Sequence, residues 1–415
     1  MSVRSMSTII NFVNELREIA MESIAHLQEV KQKNMSAVLR VLWQKERISR
    51  VELVKETGLT SGTITNLVQE LVEHGVVREI GAVSSTVGRR RIQLQLDDVL
   101  HRIIGIDIGR TSYAVVMTDL AGRIIHSSGG DLPQGHGPES TLDVVAGRVL
   151  ALTGEAQKAG GRILGMGVGI PGPMDVEAGA LLQPPNFSKW DSIPLRRLLW
   201  ERFSLPVWME DDARTSVLAE VWYGLGKQGG DLVFVTMGVG IGCGIFMDGK
   251  LIRGAHGLCG QAGHTTIVPF GEVCQCGNVG CWETVGSIPG MIRRYGRDVG
   301  IGELFAHAEA GDAQAQRIVE ETISCLVIAL INICNMYDPA IIILGGRLFA
   351  YFSPRLHEIA DRVKAHTYAA VRGHIRIEPS TFGDLQSAMG AAGLVLNALM
   401  TEPIRTLGSE RESSG

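Results

Sequence analysis

The sequence predicts an α/β protein built in two parts, an N-terminal winged helix-turn-helix followed by a two-lobed body, and three observations carry that prediction. A basic segment near the N-terminus reads as short helices closed by a hairpin. Two glycine turns further on each lie between apolar strands, and one histidine and three cysteines fall within eighteen residues. At 415 residues with 45% hydrophobic content, the chain is long enough for two or three domains with their own cores.

The basic segment runs from Lys31 to Arg91, where eleven Lys/Arg face six Asp/Glu, a balance of +5 that leaves about −10 for the rest of a chain whose net charge is −5. Met35 to Gln44 supplies the apolar positions of a first helix. Ser49-Arg50-Val51-Glu52 is a capping box that opens a second over Val51 to Glu56, ended by Gly58. In the third, Ile64, Leu67, Val68, Leu71 and Val72 recur at helical spacing, and Gly75 closes it. Its other face offers Ser61, Thr63, Thr65, Asn66 and Gln69, short polar side chains of the kind that reach base edges in a major groove. Strands over Val76 to Ile80 and Ile92 to Leu96, joined through Arg89-Arg90-Arg91, complete a winged helix, whose guanidiniums suit phosphate contact. Residues 8 to 30 read as a separate amphipathic helix.

No stretch of about eighteen apolar residues is evident. Glu15, Glu18 and Glu22 occupy the region where a signal peptide needs a basic start and an apolar run, so a cytoplasmic protein that does not engage membranes is expected. Cys243, Cys259, Cys325 and Cys334 lack paired spacing and read as free thiols.

Beyond Asp98 the body begins. Ile103 to Asp119 reads as strand, glycine turn (Asp107-Ile-Gly109-Arg110-Thr111) and strand. Gly238-Val239-Gly240-Ile-Gly242 repeats the pattern between Leu232 to Met237 and Ile245 to Met247. Such hairpins can present backbone amides and a carboxylate to phosphates, and two of them suggest a duplicated fold with a cleft between lobes.

His264, Cys274, Cys276 and Cys281 form a Cys3His set, the donors of a closed, tetrahedral zinc site with no open position for an activated water. One structural zinc per chain, shaping a loop, is the expectation.

With these motifs on the page the chain resembles the ROK family (repressor, open reading frame, kinase), in its transcriptional repressor branch. The resemblance runs from about Lys33 to the end and rests on the winged helix with Ile48-Ser49-Arg50 and Gly58-Leu59-Thr60, on Asp107 to Thr111, Pro171-Gly-Pro173 with Asp175, and Pro185-Asn186. Glu210-Asp211-Asp212-Ala213, the cysteine block, Asn332 with Asp338-Pro339, and Gly345-Gly346 complete it. It implies an actin-like, ribonuclease H-like duplicated sugar-kinase fold with a structural zinc loop. The expected segments are residues 1–30 (amphipathic helix), 31–98 (winged helix), 99–212 with 384–402 (small lobe), 213–383 (large lobe, zinc loop and dimer surface) and 403–415 (polar tail).

The same resemblance implies a sugar in the cleft. Asp212 matches the kinase base position, Asn186 and Glu283 match hydroxyl contacts, and Asp211 and Gln261 stand at sugar-side positions where an asparagine and a glutamate are usual. His264 would bind zinc through one ring nitrogen and turn the other toward the sugar. From the residues alone, Asp212 can also be read as the N-cap of the helix that follows, Ala213 to Tyr223, a role compatible with the first. DNA contacts are expected from Ser49, Arg50, Thr60, Ser61, Thr63, Thr65, Asn66, Arg89, Arg90 and Arg91.

The phosphate turns depart from the kinase pattern: Arg110 replaces a glycine, Ser112 a lysine and Val239 a threonine, which argues against ATP binding and catalysis. The implied function is a sugar-responsive repressor of carbohydrate-utilisation genes, a homodimer on operator DNA. Its alternatives are an ATP-dependent sugar kinase with an appended DNA-binding domain and a repressor controlled by a transporter protein. Activation in place of repression, and pairing of dimers into tetramers, stay open.

Overall fold

A computed structural model describes residues 26–83, 91–133, 135–182, 187, 189–227 and 229–412. The chain divides into two compact units, one formed by residues up to Leu100 together with those from Leu396 on, the other by His101–Val395.

In the first unit, α1 covers residues 26–45 without a break at residue 30, so the part of the 8–30 stretch that is described is continuous with the first helix of the winged domain; residues 1–25 lie outside the described residues. α2 (Arg50–Thr57) and α3 (Ser61–Glu73) follow, with a sheet of β1 (Ile48–Ser49), β3 (Arg91–Leu96) and β2 (Val77–Val83) in that order. The wing strands reach further into the hairpin than the sequence suggests, and β1 was not anticipated. Ser49 caps α2 with its capping box intact, and Gly58, at φ 70°, takes the left-handed turn that ends it. Val38, Leu39, Leu42, Leu53, Ile64, Val68 and Leu71 make the core.

The 403–415 stretch, read as a polar tail, contains helix α14 (Pro403–Glu412), with Leu407 buried. It stays with the winged helix, and Ile404, Leu407 and Gly408 line a hollow with Met35, Asn66, Gln69 and Glu73.

The second unit is built from two five-stranded sheets of one design. The first orders its strands β10 (Val207–Asp211), β7 (Arg162–Ile170), β4 (His101–Ile108), β5 (Ser112–Asp119) and β6 (Ile124–Asp131). The second orders β15 (Arg376–Pro379), β14 (Ile341–Gly345), β11 (Leu232–Met237), β12 (Ile241–Met247) and β13 (Lys250–Leu251). In each, an antiparallel hairpin meanders to one side of the founding strand and two parallel strands extend the other. This identical order is the duplication expected from the two glycine turns. A short antiparallel pair, β8 (Met174–Asp175) and β9 (Ala180–Leu181), stands apart.

Helices α4 (Pro138–Lys158), α5 (Leu195–Phe203) and α6 (Asp212–Tyr223) belong to the first half. The second half carries α7 (Trp282–Gly286), α8 (Ile288–Tyr295), α9 (Ile301–Glu309), α10 (Ala313–Tyr337), α11 (Phe349–Phe352) and α12 (Leu356–His366), and α13 (Gln386–Thr401) returns to the first sheet. That return requires glycine: a Cβ on Gly105 would lie 2.1 Å from the Ala388 carbonyl oxygen, and one on Gly167 would lie 1.7 Å from that of Ala391. α10 is long and apolar enough by length and composition to cross a membrane, which corrects the expectation that no such stretch exists; 56% of its apolar window is buried, and Ile318, Leu326, Leu330 and Cys334 pack into the second core.

Candidate functional site

The two glycine turns face a common cleft of about 500 Å³, lined from the first half by Asp107, Gly109, Arg110, Thr111, Asp211 and Asp212 and from the second by Gly238, Val239, Gly240, Gln261, His264 and Glu283. The fold thus gathers the residues read as phosphate turns and those read as sugar contacts around one space. Asn186 lies outside the described residues, although its neighbour Phe187 is buried and stacks on Trp190 with ring centroids 4.7 Å apart.

At the end of β10 the two adjacent aspartates have different tasks. Oδ1 of Asp211 accepts the Ala213 N–H (3.1 Å) and Oδ2 accepts the Gly172 N–H (3.3 Å), so Asp211 is the N-cap of α6. The cap role weighed for Asp212 therefore falls to Asp211, whose carboxylate is committed to backbone. Burial raises both carboxyls above the ordinary range; for Asp211 the charge of Asp212 adds to the rise, and for Asp212 the Arg110 guanidinium opposes it. Asp107 is raised to about 6 by burial, against a hydrogen bond from Ser387.

Across the cleft, Oε2 of Glu283 accepts the Ile241 N–H at 2.9 Å. Arg110 spans from its own turn toward the second one: a Cβ on Gly240 would lie 2.9 Å from that Glu283 oxygen and 3.5 Å from Nη1 of Arg110. A guanidinium thus sits between the turns, where the sequence places a bulky cation in a phosphate loop.

One network was missed by sequence reasoning. Glu210, with no exposed side-chain surface, accepts from Nε of Arg214 (2.8 Å) and from Nε of Arg253 (2.7 Å). Arg214 also donates from Nη1 to the Cys259 carbonyl at 2.8 Å. One buried carboxylate therefore ties the end of β10, where Asp211 leads into Asp212, to the loop that leads into Gln261 and His264. Glu210 stood in a quoted motif, but an (i, i+4) Glu–Arg pair gives no sign that it is buried.

His264, Cys274, Cys276 and Cys281 converge, with all four ligand atoms within 4.8 Å of one another. Cys274 Sγ lies 3.5 Å from Nδ1 of His264, and Cys276 Sγ lies 3.6 Å from Cys281 Sγ. Zn–S bonds of about 2.3 Å in a tetrahedron set sulfurs about 3.8 Å apart, so the four residues fit a tetrahedral ion. Asn278 steadies the knuckle by donating to the Thr266 hydroxyl (3.0 Å) and the His264 carbonyl (3.2 Å). Cys243, Cys259, Cys325 and Cys334 are free thiols.

On the winged helix, Thr60, Ser61, Thr65 and Asn66 are exposed at the start of α3, and Thr63 is half-buried. Thr60 caps the helix by accepting the Thr63 N–H at 3.2 Å, and Thr65 donates to the Ser61 carbonyl at 2.8 Å. One expectation changes. Ser49 is 2% exposed and its hydroxyl donates to Glu52 Oε2 at 2.6 Å, so it serves the capping box and presents nothing to DNA. Arg50 pairs with Glu79 at 2.9 Å. Arg89 and Arg90 lie outside the described residues, and Arg91 opens β3.

A DNA-binding type of domain thus precedes a duplicated, sugar-kinase type of body whose phosphate turns are altered. The chain belongs to the ROK family, which matches residues 103–398, and residues 32–78 match a winged helix-turn-helix DNA-binding domain. It is 29% identical over 391 residues to the xylose repressor of Caldicellulosiruptor bescii, covering 90% of this chain and 98% of that protein. To the DNA-binding transcriptional dual regulator NagC of Escherichia coli it is 26% identical over 391 residues, covering 91% and 95%. Its fold is that of a crystallised ROK family transcriptional regulator, a homologue of the E. coli MLC protein, with TM-score 0.79 at 24% identity over 92% of this chain and 100% of that one.

Proposed function

We propose that this chain is a sugar-responsive transcriptional repressor of carbohydrate-utilisation genes, binding operator DNA through its winged helix and a sugar through the cleft of its kinase-like body. The observation that carries this reading is the junction of the two modules with Arg110 between the phosphate turns: the cleft keeps carboxylates suited to sugar hydroxyls and has lost the open backbone that a nucleotide phosphate needs. The similarity to a xylose repressor over nearly the whole chain supports it.

In this reading Asp212, Glu283, Gln261, His264 and Asn186 hold the sugar, and Asp211 acts as a cap that fixes Asp212. The metal is structural zinc, bound by His264 Nδ1 and three thiolates, and it holds the imidazole and the start of α7 in place for the ligand. α3 enters the major groove with Ser61, Thr63 and Asn66, while Arg89, Arg90 and Arg91 meet phosphates. The protein acts in the cytoplasm as a homodimer, each winged helix reading a half-site about one helical turn, roughly 34 Å, from the other. Sugar lowers occupancy by binding the DNA-incompetent form more tightly, and a ~100-fold preference corresponds to about 2.7 kcal/mol of coupling.

A kinase reading is favoured by one observation, the placement of Asp212 in the cleft. A coupled ADP-release assay over a sugar panel decides between them: no turnover above background is expected, whereas sugar-dependent ADP release makes the chain an enzyme. Footprinting of DNA upstream of the gene should show a protected pseudo-palindrome, and its absence counts against the repressor.

A further inference from the structure

His136, in the connection from β6 to α4, is buried, and both of its ring nitrogens are engaged. Nε2 lies 3.1 Å from the Arg110 carbonyl oxygen, and Nδ1 lies 2.5 Å from the hydroxyl of the fully buried Thr141. A carbonyl only accepts, so Nε2 carries the proton of the first bond and donates to the glycine turn. The same connection donates the Leu132 N–H to the Thr111 carbonyl at 2.8 Å, so it grips the turn at two successive carbonyls. The imidazole has a second set of neighbours. It packs edge to face with Phe187 and Trp190, at centroid distances of 5.7 and 6.2 Å, and those two rings stack on each other. Between them in sequence, Lys189 holds a φ of 72°, uncommon for a residue with a side chain, and donates from Nζ to the Gly135 carbonyl at 2.7 Å.

We propose that His136 is a positioning residue of the ligand site. Its N–H edge fixes the first glycine turn, which brings Asp107, Arg110 and Thr111 to the cleft, and its ring fixes the same turn against the aromatic pair that follows Asn186 in sequence. One side chain thus registers two separately encoded parts of the first half, and a shift of the aromatic pair is passed to the Arg110 carbonyl. Thr141 sets the ring orientation through Nδ1. His136 acts on a ligand only through the turn. A histidine kept for packing needs its ring, whereas one kept for positioning needs the Nε2 donor, and that difference separates the two roles. The ligand-binding part of the inference rests on the sugar-effector reading above; the clamp on the turn does not.

The test compares H136Q with H136N in the full chain. Both lose the ring, but the amide nitrogen of H136Q falls near the place of Nε2, whereas that of H136N falls near Nδ1, short of the Arg110 carbonyl. Hydrogen exchange over Gly105 to Tyr113, read by mass spectrometry, should stay near parental in H136Q and quicken in H136N. Titration calorimetry with neutral aldopentoses, aldohexoses and 2-acetamido sugars should show the tightest-bound sugar weakened about tenfold more in H136N than in H136Q. Melting temperatures should fall alike, since the ring is absent from both. Equal exchange or equal sugar affinity in the two variants overturns the inference and leaves His136 a packing role. T141V keeps the ring and removes only the hydroxyl that orients it, so it carries the test should an amide variant fail to fold: faster exchange over the same peptide supports the role, and parental exchange overturns it. If no sugar binds the parent chain, the sugar reading falls, while the exchange measurement still decides what His136 does.

Discussion

Nδ1 of His264 lies 3.5 Å from Sγ of Cys274, while His264 also lines the cleft between the glycine turns. One residue thus belongs both to the Cys3His cluster and to the cleft. A metal bound on the Nδ1 side would fix the ring and its tautomer, leaving the second nitrogen as an N–H donor.

Removing one thiolate should therefore cost both metal and response. Cys276→Ser is expected to lower zinc from one equivalent per chain to near zero by elemental analysis and to abolish any effect of sugar on DNA affinity. Full zinc content in the variant contradicts the site.

The buried Glu210 gives a stability prediction. Glu210→Ala leaves Arg214, 3% exposed, without its carboxylate, and losing one partner of a buried pair costs about 3–5 kcal/mol. Arg253, 43% exposed, can turn to water, so Arg253→Ala should cost much less. Urea unfolding of the parent and the two variants measures both, and equal losses would contradict the assignment of most of the cost to the stranded Arg214.

What the sequence made legible and what it hid follow from the range of the interactions. The helix spacing of Ile64, Leu67, Val68 and Leu71, the Ser49–Glu52 box and the Cys3His set are local patterns, and each names its own structure. The hidden features join distant segments: Glu210 with Arg253, Ser49 buried in a strand paired with β3, and α14 beside α3. Ser49 illustrates the difference, since the same hydroxyl that signals a cap to the sequence reader is consumed by that cap. α10 looked unremarkable in sequence because Arg317, Glu320, Glu321, Thr322, Ser324, Asn332 and Asn335 break its apolar run.

Asp107 should make stability depend on pH. Its carboxyl is raised to about 6 in the fold, so the folded chain holds this proton more tightly than the unfolded chain. The contribution is complete below about pH 4 and is lost as pH rises through about 6. Asp107→Asn cannot ionise, so its melting temperature should gain on that of the parent between pH 4.5 and 7.5, by the equivalent of about 1–2 kcal/mol. A difference constant across that range excludes the raised carboxyl.

Asp212 should carry a charged hydrogen bond to the sugar. Asp212→Ala is expected to weaken binding by about 1.5–3 kcal/mol, read by calorimetry, while the fold keeps its cap at Asp211. Unchanged affinity places the ligand elsewhere in the cleft.

The measurement that tests the central claim most directly is fluorescence anisotropy of the full chain on DNA from upstream of its own gene, at fixed salt, with neutral and anionic sugars titrated in. Sequence-specific binding that one sugar weakens on the order of 100-fold, with a salt slope made shallower by Arg90→Ala, is the predicted result. Specific binding that no sugar alters, or no specific binding at all, contradicts it.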